Sequence, residues 1–170
     1  MVASKKNVNY TKSWQALAVA RVLVGFVFLW AFFDKLMGLG FSTPHGKSWL
    51  DGVSPTTGFL KMGVNPNGPF VDFFHGLAGN VLVDWLFMLG LLGIGLALVL
   101  GIGLRVAAVA GSLLLLMMWA AELPLKTNPI IDEHIVYASL LWVVALAPRK
   151  WSLIDRWLET PTVKKNPWLW

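Results

Sequence analysis

An apolar run from Trp85 to Ala121, in which Arg105 is the only charged residue, most constrains how this chain can fold. As one helix the run would be roughly 55 Å long, at 1.5 Å per residue. The hydrocarbon core of a bilayer is only about 30 Å thick. We therefore expect two membrane-spanning helices that meet at a tight bend, marked by Gly101, Gly103 and Arg105.

The rest of the chain predicts an all-α integral membrane protein of one domain over residues 1–170. Hydrophobic residues make up 56% of it, more than a soluble domain of this size could bury. The apolar stretch after Lys12 is too long for a signal-peptide core, so an uncleaved first helix is expected. Spans are predicted at about 13–33, 81–101, 104–121 and 129–147, and they would form a four-helix bundle.

The distribution of positive charge predicts the orientation, because Lys and Arg concentrate on the cytoplasmic side of membrane proteins. With the N-terminus inside, both termini are cytoplasmic. The same distribution argues against nucleic acid as a partner, since the cations are dispersed. The inner cations are Lys5, Lys6, Lys12, Arg105, Arg149, Lys150, Arg156, Lys164 and Lys165, against Lys35, Lys47, Lys61 and Lys126 outside.

Two segments outside the spans carry many large apolar groups. The outer loop, 38–80, is too apolar for a disordered segment, and Pro55 and Pro69 each sit where a short helix could begin. We expect such helices to cap the bundle. The cytoplasmic tail, 149–170, places Trp and Leu side chains on one helical face beside cations, which predicts an interfacial helix in contact with membrane lipids.

Small residues recur along two of the spans and predict close helix packing. In the second span they are Gly90, Gly93, Ala97 and Gly101, and in the third Ala107 and Gly111.

Arg21 is the most costly residue to place, because it lies about two turns inside the first span. On a translocon scale, inserting an arginine at the membrane centre costs roughly 2.5–3.5 kcal/mol of free energy. Three compensations are open: an ion pair with Asp155, snorkelling to inner phosphates, or contact with a bound quinone carbonyl or lipid head group.

The fourth span begins with the polar sequence TNPIIDEH. Helix capping explains part of it, with Asn128 as the cap, Pro129 at the first helical position, and Asp132 and Glu133 in the first turns. His134 is less easily explained in this way. A structural role and a polar cluster that binds a quinone head, a proton or a metal both remain open. Its other members would be Tyr137, Asp34, Lys35, Asp84 and Glu122.

The spacing of the histidines does not predict a metal site, and the sequence does not predict a covalently bound cofactor. His45, His75 and His134 are far apart, and no His-x-x-His motif occurs. The absence of cysteine excludes iron–sulfur clusters and dithiol reduction of quinone by this chain alone. A bound quinone is therefore the cofactor that remains open.

Several segments resemble the DoxX-like family. ARVLVGFVFLWAFFDKL, from Ala20 to Leu36, is similar to its first helix, and GLALVLGIGLRVAAVAG, from Gly95 to Gly111, resembles its glycine-rich hairpin. NPIIDEHIVYASLL, from Asn128, and the WSLID that follows resemble its last helix and exit. The loop sequence GKSWLDGVSPTTGFL resembles the longer-looped branch, common in actinobacteria. The resemblance covers nearly the whole chain.

The resemblance implies a four-helix bundle in the plasma membrane of a prokaryote. Three hypotheses of function then remain, the first two of which the resemblance implies. The expected one is an accessory subunit of a quinone-linked respiratory or redox complex, with other membrane subunits as partners. The alternative is the catalytic membrane subunit of a thiosulfate:quinone oxidoreductase, and a small transporter comes third. No catalytic residue follows from the resemblance, and whether the chain is an enzyme stays open.

Overall fold

A computed structural model describes the backbone of residues 11–126, 128–147 and 154–169, with side chains from Lys12 and, in the tail, from Trp157. Within these residues the chain is helical and forms no strand. The α-helices are α1 (Thr11–Met37), α2 (Val71–Leu77), α3 (Val81–Leu100), α4 (Leu104–Glu122), α5 (Glu133–Leu146), α6 (Ile154–Glu159) and α7 (Pro161–Lys165), with a π-helix at Phe59–Gly63 and a 3-10 turn at Pro167–Leu169.

Three helices, α1, α3 and α4, are long and apolar enough to cross a membrane. Large hydrophobic side chains such as Phe26, Leu86 and Leu113 are exposed on their outer faces, as expected where lipid replaces water as the solvent. The chain therefore has the helices of a membrane protein. Helix α1 is longer than predicted, since it begins two residues before the expected span 13–33 and ends four residues after it.

The predicted bend between the second and third spans is confirmed. Gly101 ends α3 with φ 74° and Gly103 precedes α4 with φ 64°, both in the left-handed region, where a side chain would be strained. The N–H groups of Gly101 and Ile102 both donate to the carbonyl of Ala97, at 2.8 and 3.0 Å. These bonds satisfy the end of α3 and turn the chain directly into α4.

The four longest helices pack in the order α1, α3, α4, α5, and α5 also contacts α1. Neighbours run antiparallel: Gly25 of α1 meets Leu98 and Val99 of α3, and Gly95 of α3 meets Leu29 of α1. The core between the helices contains fully buried side chains from two of them, Met88 and Leu98 of α3 and Leu141 of α5. One end of the helix array carries the Gly101–Gly103 bend, and the other carries the segment 38–80, which we call the cap.

The cap contains the short helices that its composition predicts. Helix α2 begins two residues after Pro69, and the π-helix begins four residues after Pro55. Leu60, Val64 and Phe74 bury themselves against Ala121 near the end of α4 and form a second, smaller core. The cap is therefore packed onto the helices.

The start of the fourth helix was predicted wrongly. Helix α5 begins at Glu133 with Asp132 as its N-cap, four residues after Pro129. Asn128 instead accepts the N–H groups of Ile130 and Ile131 in a local turn, both at 2.9 Å. The carbonyl of Ile130 accepts the Trp119 indole N–H at 2.8 Å, so it is not used inside a helix. As a result α5 has 14 residues, or about 21 Å at the α-helical rise.

The tail segment 154–169 folds back onto the bend end of the array. The Nη1 atom of Arg105 donates to the carbonyl of Pro167 at 3.3 Å, and the Trp157 indole donates to the carbonyl of Leu169 at 3.0 Å. Val163 is buried. The first part of the predicted interfacial helix, including Trp151, lies outside the described residues, as do the side chains of Ile154 and Asp155.

Candidate functional site

A cavity of about 320 Å³ lies between α3, α4 and the cap. Its walls are apolar except for Lys35, from the last turn of α1, and Thr56 from the cap. The exposed side chains of Leu86 and Met117 belong to its rim, so it opens toward the outer faces of the helices. The lining residues are Lys35, Pro55, Thr56, Phe59, Leu60, Phe74, Leu77, Val83, Leu86, Phe87, Leu114, Met117 and Met118.

The π-helix supplies part of the cavity wall. Its defining bond joins the N–H of Val64 to the carbonyl of Phe59, at 3.2 Å. Phe59 lines the cavity, and Leu60 reaches both the cavity and the small core beneath the cap. Single π-turns of this kind occur frequently at functional sites.

Asp84 fixes the cap to the start of α3. Its carboxylate is buried and accepts the Ser54 hydroxyl at 2.8 Å and the Thr56 hydroxyl at 2.5 Å. The Thr57 hydroxyl donates in turn to Ser54 at 2.8 Å. Hydroxyl groups that donate to a carboxylate oxygen form strong hydrogen bonds. They hold Thr56 at the cavity wall.

Asp34 plays a similar part at the end of α1. The residue is 1% exposed, and its carboxylate accepts the Ser42 hydroxyl at 2.6 Å and the Phe41 N–H at 3.2 Å. The N–H of Trp49 donates to the carbonyl of Lys35 at 2.9 Å. The cap chain thus returns across the end of α1 and fixes the backbone of Lys35 beside the cavity.

The cap has a further carboxylate turn at Asp51. Hydrogen bonds from the hydroxyl and the N–H of Ser48, at 2.6 and 2.9 Å, hold the pKa of the Asp51 carboxyl below its usual range. Trp49, inside this turn, packs edge-on against Trp85 of α3 with ring centroids 4.6 Å apart. The turn therefore joins the cap to α3, and its backbone also binds the last turn of α1.

The acidic residues and the histidine proposed from the sequence as one polar cluster are divided among separate places. Glu122 and His134 lie together with Asp132: one ligand atom from each of the three side chains lies within 4.8 Å of the others. Asp34 and Asp84 bind different hydroxyl groups of the cap. Whether any of these residues contacts a ligand remains a prediction.

The remaining members of that cluster lie elsewhere. Lys35 lines the cavity, and Tyr137 is half-buried against the core between the helices.

Arg21 is buried on α1, toward the bend end of the array. It belongs to a groove of about 400 Å³ along one side of α1, with Gln15 and Val19 among its neighbours. The proposed pairing with Asp155 stays a prediction, since that side chain lies outside the described part of the chain. Contact with lipid phosphates or a quinone also stays a prediction.

Sequence reasoning missed two features of this region. Thr56 and Ser54 carry no local signal that would pair them with Asp84, about 30 positions later. Asp132 was interpreted only as a favourable charge in the first helical turn. The signal that could have identified it is the spacing Asp-x-His, which lets an N-cap carboxylate reach the imidazole two residues on.

The chain matches no known protein family, no curated protein and no solved structure.

Proposed function

We propose that this chain is a four-helix integral membrane protein that binds a quinone and serves as an accessory subunit of a quinone-linked respiratory or redox complex. The observation that carries the proposal is the cavity of about 320 Å³, apolar but for Lys35 and Thr56. Its volume falls within the range of ligand sites. One ammonium group in apolar walls suits a ligand whose polar atoms sit on an otherwise apolar ring.

The position of the cavity favours a ligand that arrives from the bilayer. Leu86 and Met117 at its rim are exposed to the outside of the helix array. A quinone with an apolar tail would enter there and leave its tail in lipid. The Lys35 ammonium would donate to a quinone carbonyl, an interaction strengthened by the low dielectric of the cavity.

The accessory role follows from the side-chain chemistry of the chain. Without cysteine it has no dithiol or iron–sulfur route for electrons. A quinone held here would exchange electrons with a partner subunit. In the alternative, a catalytic membrane subunit of a thiosulfate:quinone oxidoreductase, the electrons would come from a sulfur compound through a soluble partner. A transporter is the third candidate.

The four-helix membrane topology is part of the proposal. Helix α5 is short, but the nonhelical residues 128–132 extend it, and Ile130 and Ile131 there are exposed and apolar. The apolar residues of this turn would lie in the outer part of the bilayer and, together with α5, complete the fourth crossing. The cap would then face outward and both termini the cytoplasm of a prokaryotic cell.

The topology can be tested with single cysteines, because the chain has none of its own. We expect Lys47→Cys, in the cap, to react with a membrane-impermeant maleimide in intact cells. Lys165→Cys, in α7, should react only in inverted vesicles. Labelling of both positions from the same side would contradict the topology.

Quinone binding can be tested with two matched pairs of variants in purified protein. Lys35→Met removes the donor and should weaken binding of a soluble quinone analogue roughly tenfold, the equivalent of one charged hydrogen bond. Lys61→Met, on the exposed side of the π-helix, should have no effect. Leu86→Trp should block the rim, whereas Leu89→Trp, one turn on and also exposed, should not. Equal effects within either pair would contradict the assigned cavity.

The two redox roles are separated by native purification. A stoichiometric cytochrome-containing partner would support the accessory role, and thiosulfate-dependent quinone reduction with a soluble partner would support the catalytic one. Substrate uptake into liposomes by the chain alone would support transport and contradict both redox roles.

A further inference from the structure

Three metal-binding side chains meet where α4 ends and α5 begins, outside the cavity assigned to quinone. Glu122 comes from the last position of α4, Asp132 from the N-cap of α5, and His134 from its first turn. One ligand atom from each lies within 4.8 Å of the other two. None of the three lines the cavity.

The group is buried and carries uncompensated negative charge. The side chains of His134 and Asp132 are 9% and 7% exposed, and Glu122 is half-buried. Within the described ranges, neither carboxylate forms an ion pair with a lysine or arginine. The next charges acting on Glu122 are those of Glu133 and Lys126, which have opposite signs. Two carboxylates beside a single imidazole leave net negative charge in either protonation state of the imidazole, and a divalent cation would balance it.

The spacing of the ligand atoms is close to that of a metal centre. The Nδ1 atom of His134 lies 2.8 Å from Oδ2 of Asp132. In a site with metal–ligand bonds of 2.0–2.2 Å, adjacent ligand atoms are roughly 3.0–3.4 Å apart. An ion can thus replace the proton shared by this pair with a small expansion. Glu122, whose side chain is long and only half-buried, can rotate in to complete the set.

The surrounding backbone holds the group in place without an ion. The Oδ1 atom of Asp132 accepts the N–H groups of His134 and Ile135 at 3.0 and 3.2 Å, which fixes this carboxylate on α5. The side-chain amide of Asn65 donates to the carbonyl of Pro124 at 2.9 Å, and its N–H donates to the carbonyl of Ala121 at 2.9 Å. The cap therefore clamps the chain on both sides of Glu122.

We propose that Glu122, Asp132 and His134 bind one divalent transition-metal ion, and that the ion fastens the end of α4 to the start of α5. One imidazole and two carboxylates without thiolate select ions such as Zn²⁺, Mn²⁺ or Fe²⁺. Water would complete the coordination. This site differs from the sequence-based expectation of no metal, because Glu122 comes from a different helix and lies ten positions before the Asp-x-His pair.

Zn²⁺ and Co²⁺ binding to the full chain tests the proposal, with protein purified in detergent through a tag that contains no histidine. We expect saturable binding of one Zn²⁺ per chain by calorimetry, and visible absorption bands from Co²⁺ bound in its place. Glu122→Gln should weaken Zn²⁺ binding by more than about 10-fold, since loss even of a partner outside the direct ligands costs about that much. Asp132→Asn should do the same while keeping the helix cap, since Asn caps as well as Asp.

The matched controls are Glu133→Gln and His75→Gln. Glu133 is the exposed neighbour in the same turn, and its loss changes the local charge equally without removing a ligand. Both controls should bind Zn²⁺ like the unmodified protein. The proposal is overturned if the unmodified protein binds no Zn²⁺, or if Glu133→Gln weakens binding as much as Glu122→Gln. Glu122 is half-buried and glutamine has the same shape, so Glu122→Gln should fold normally. The test therefore does not require a variant of the more deeply buried His134.

Discussion

The helix pairs α1–α3 and α4–α5 are in contact over similar lengths but are packed in different ways. Between α1 and α3 a glycine stands on each helix: a Cβ on Gly25 would lie 2.9 Å from Cβ of Leu98, and one on Gly95 would lie 3.0 Å from the backbone nitrogen of Leu29. Between α4 and α5 a Cβ on Gly111 would clash with the end of the Leu141 side chain, at 2.5 Å, and would meet Ile94 of α3 at an ordinary contact distance of 3.5 Å. The first interface is fixed by backbone contact, and the second can adjust through a rotamer.

At the ends nearest the cap, the two helix pairs also differ in how their charged side chains are satisfied. Asp34 and Asp84, on α1 and α3, each accept a hydroxyl group from the cap, so their charges are satisfied inside the protein. At the junction of α4 and α5, the structure gives Glu122, Asp132 and His134 no hydroxyl donor among the residues it describes; Asp132 contacts His134 and accepts backbone N–H groups. The comparison indicates that α1–α3 is the fixed half of the molecule and α4–α5 the half that a bound ion could tighten.

The largest effect is expected from Gly95→Ala, because the added methyl group would collide with the backbone of α1. Overpacking of this kind lowers the free energy of unfolding by about 2–3 kcal/mol. Gly111→Ala should lower it by about 1 kcal/mol, since Leu141 can turn away. Thermal unfolding in detergent, followed by circular dichroism, measures both.

The control for this pair is Gly93→Ala on the same helix as Gly95, where nothing lies within 4 Å of an added Cβ. It should be neutral, or stabilising by up to about 1 kcal/mol through helix propensity. Equal destabilisation by Gly111→Ala and Gly95→Ala would remove the distinction between the two interfaces.

The glycines also show which features of the helix packing could be predicted from the sequence alone. The bend could be predicted at Gly101 and Gly103, because an apolar run longer than a bilayer must turn and glycine accepts the left-handed conformation that the turn requires. Of the small residues expected to pack closely, Gly111 does meet a neighbouring helix and Gly93 faces open space, whereas the close contacts at Gly95 and at Gly25 of the first helix were not predicted. When every face of a helix is apolar, periodicity does not tell which face meets protein and which meets lipid.

The candidate sites were predictable only in part, for a related reason. Polar residues at span ends could be recognised as a group, and Lys35, Glu122 and His134 were among them. Their division into a cavity, two hydroxyl-bound carboxylates and an acid–histidine group depends on where the cap lies. That placement rests on contacts between residues about 30 to 60 positions apart, such as Thr56 with Asp84 and Asn65 with Pro124. No local pattern encodes them.

Two substitutions near the cap, one in each half of the molecule, should have smaller and different effects on the free energy of unfolding. Thr56→Val removes one hydroxyl donor from the buried Asp84 carboxylate and should lower the free energy of unfolding by about 1.5 kcal/mol. Glu122→Gln, in buffer with a chelator, should change it by less than about 0.5 kcal/mol or raise it, because it relieves repulsion between carboxylates. Chemical unfolding of both variants in the same detergent makes the measurement. A strongly destabilised Glu122→Gln protein would mean that this acid is already satisfied without an ion.

The smallest effect is expected at Asp51, at the far edge of the cap. Because the Ser48 hydrogen bonds hold the pKa of this carboxyl below its usual range, the folded state binds its proton less readily than the unfolded state does. The resulting stabilisation is present above the unfolded pKa of about 3.9 and is lost as the pH falls through the lower, folded value. Ser48→Ala should therefore raise the pKa of Asp51 toward the ordinary range, as measured by carbon NMR of labelled aspartate. An Asp51 pKa that Ser48→Ala leaves unchanged would mean that the cap turn at Trp49 does not depend on this carboxylate.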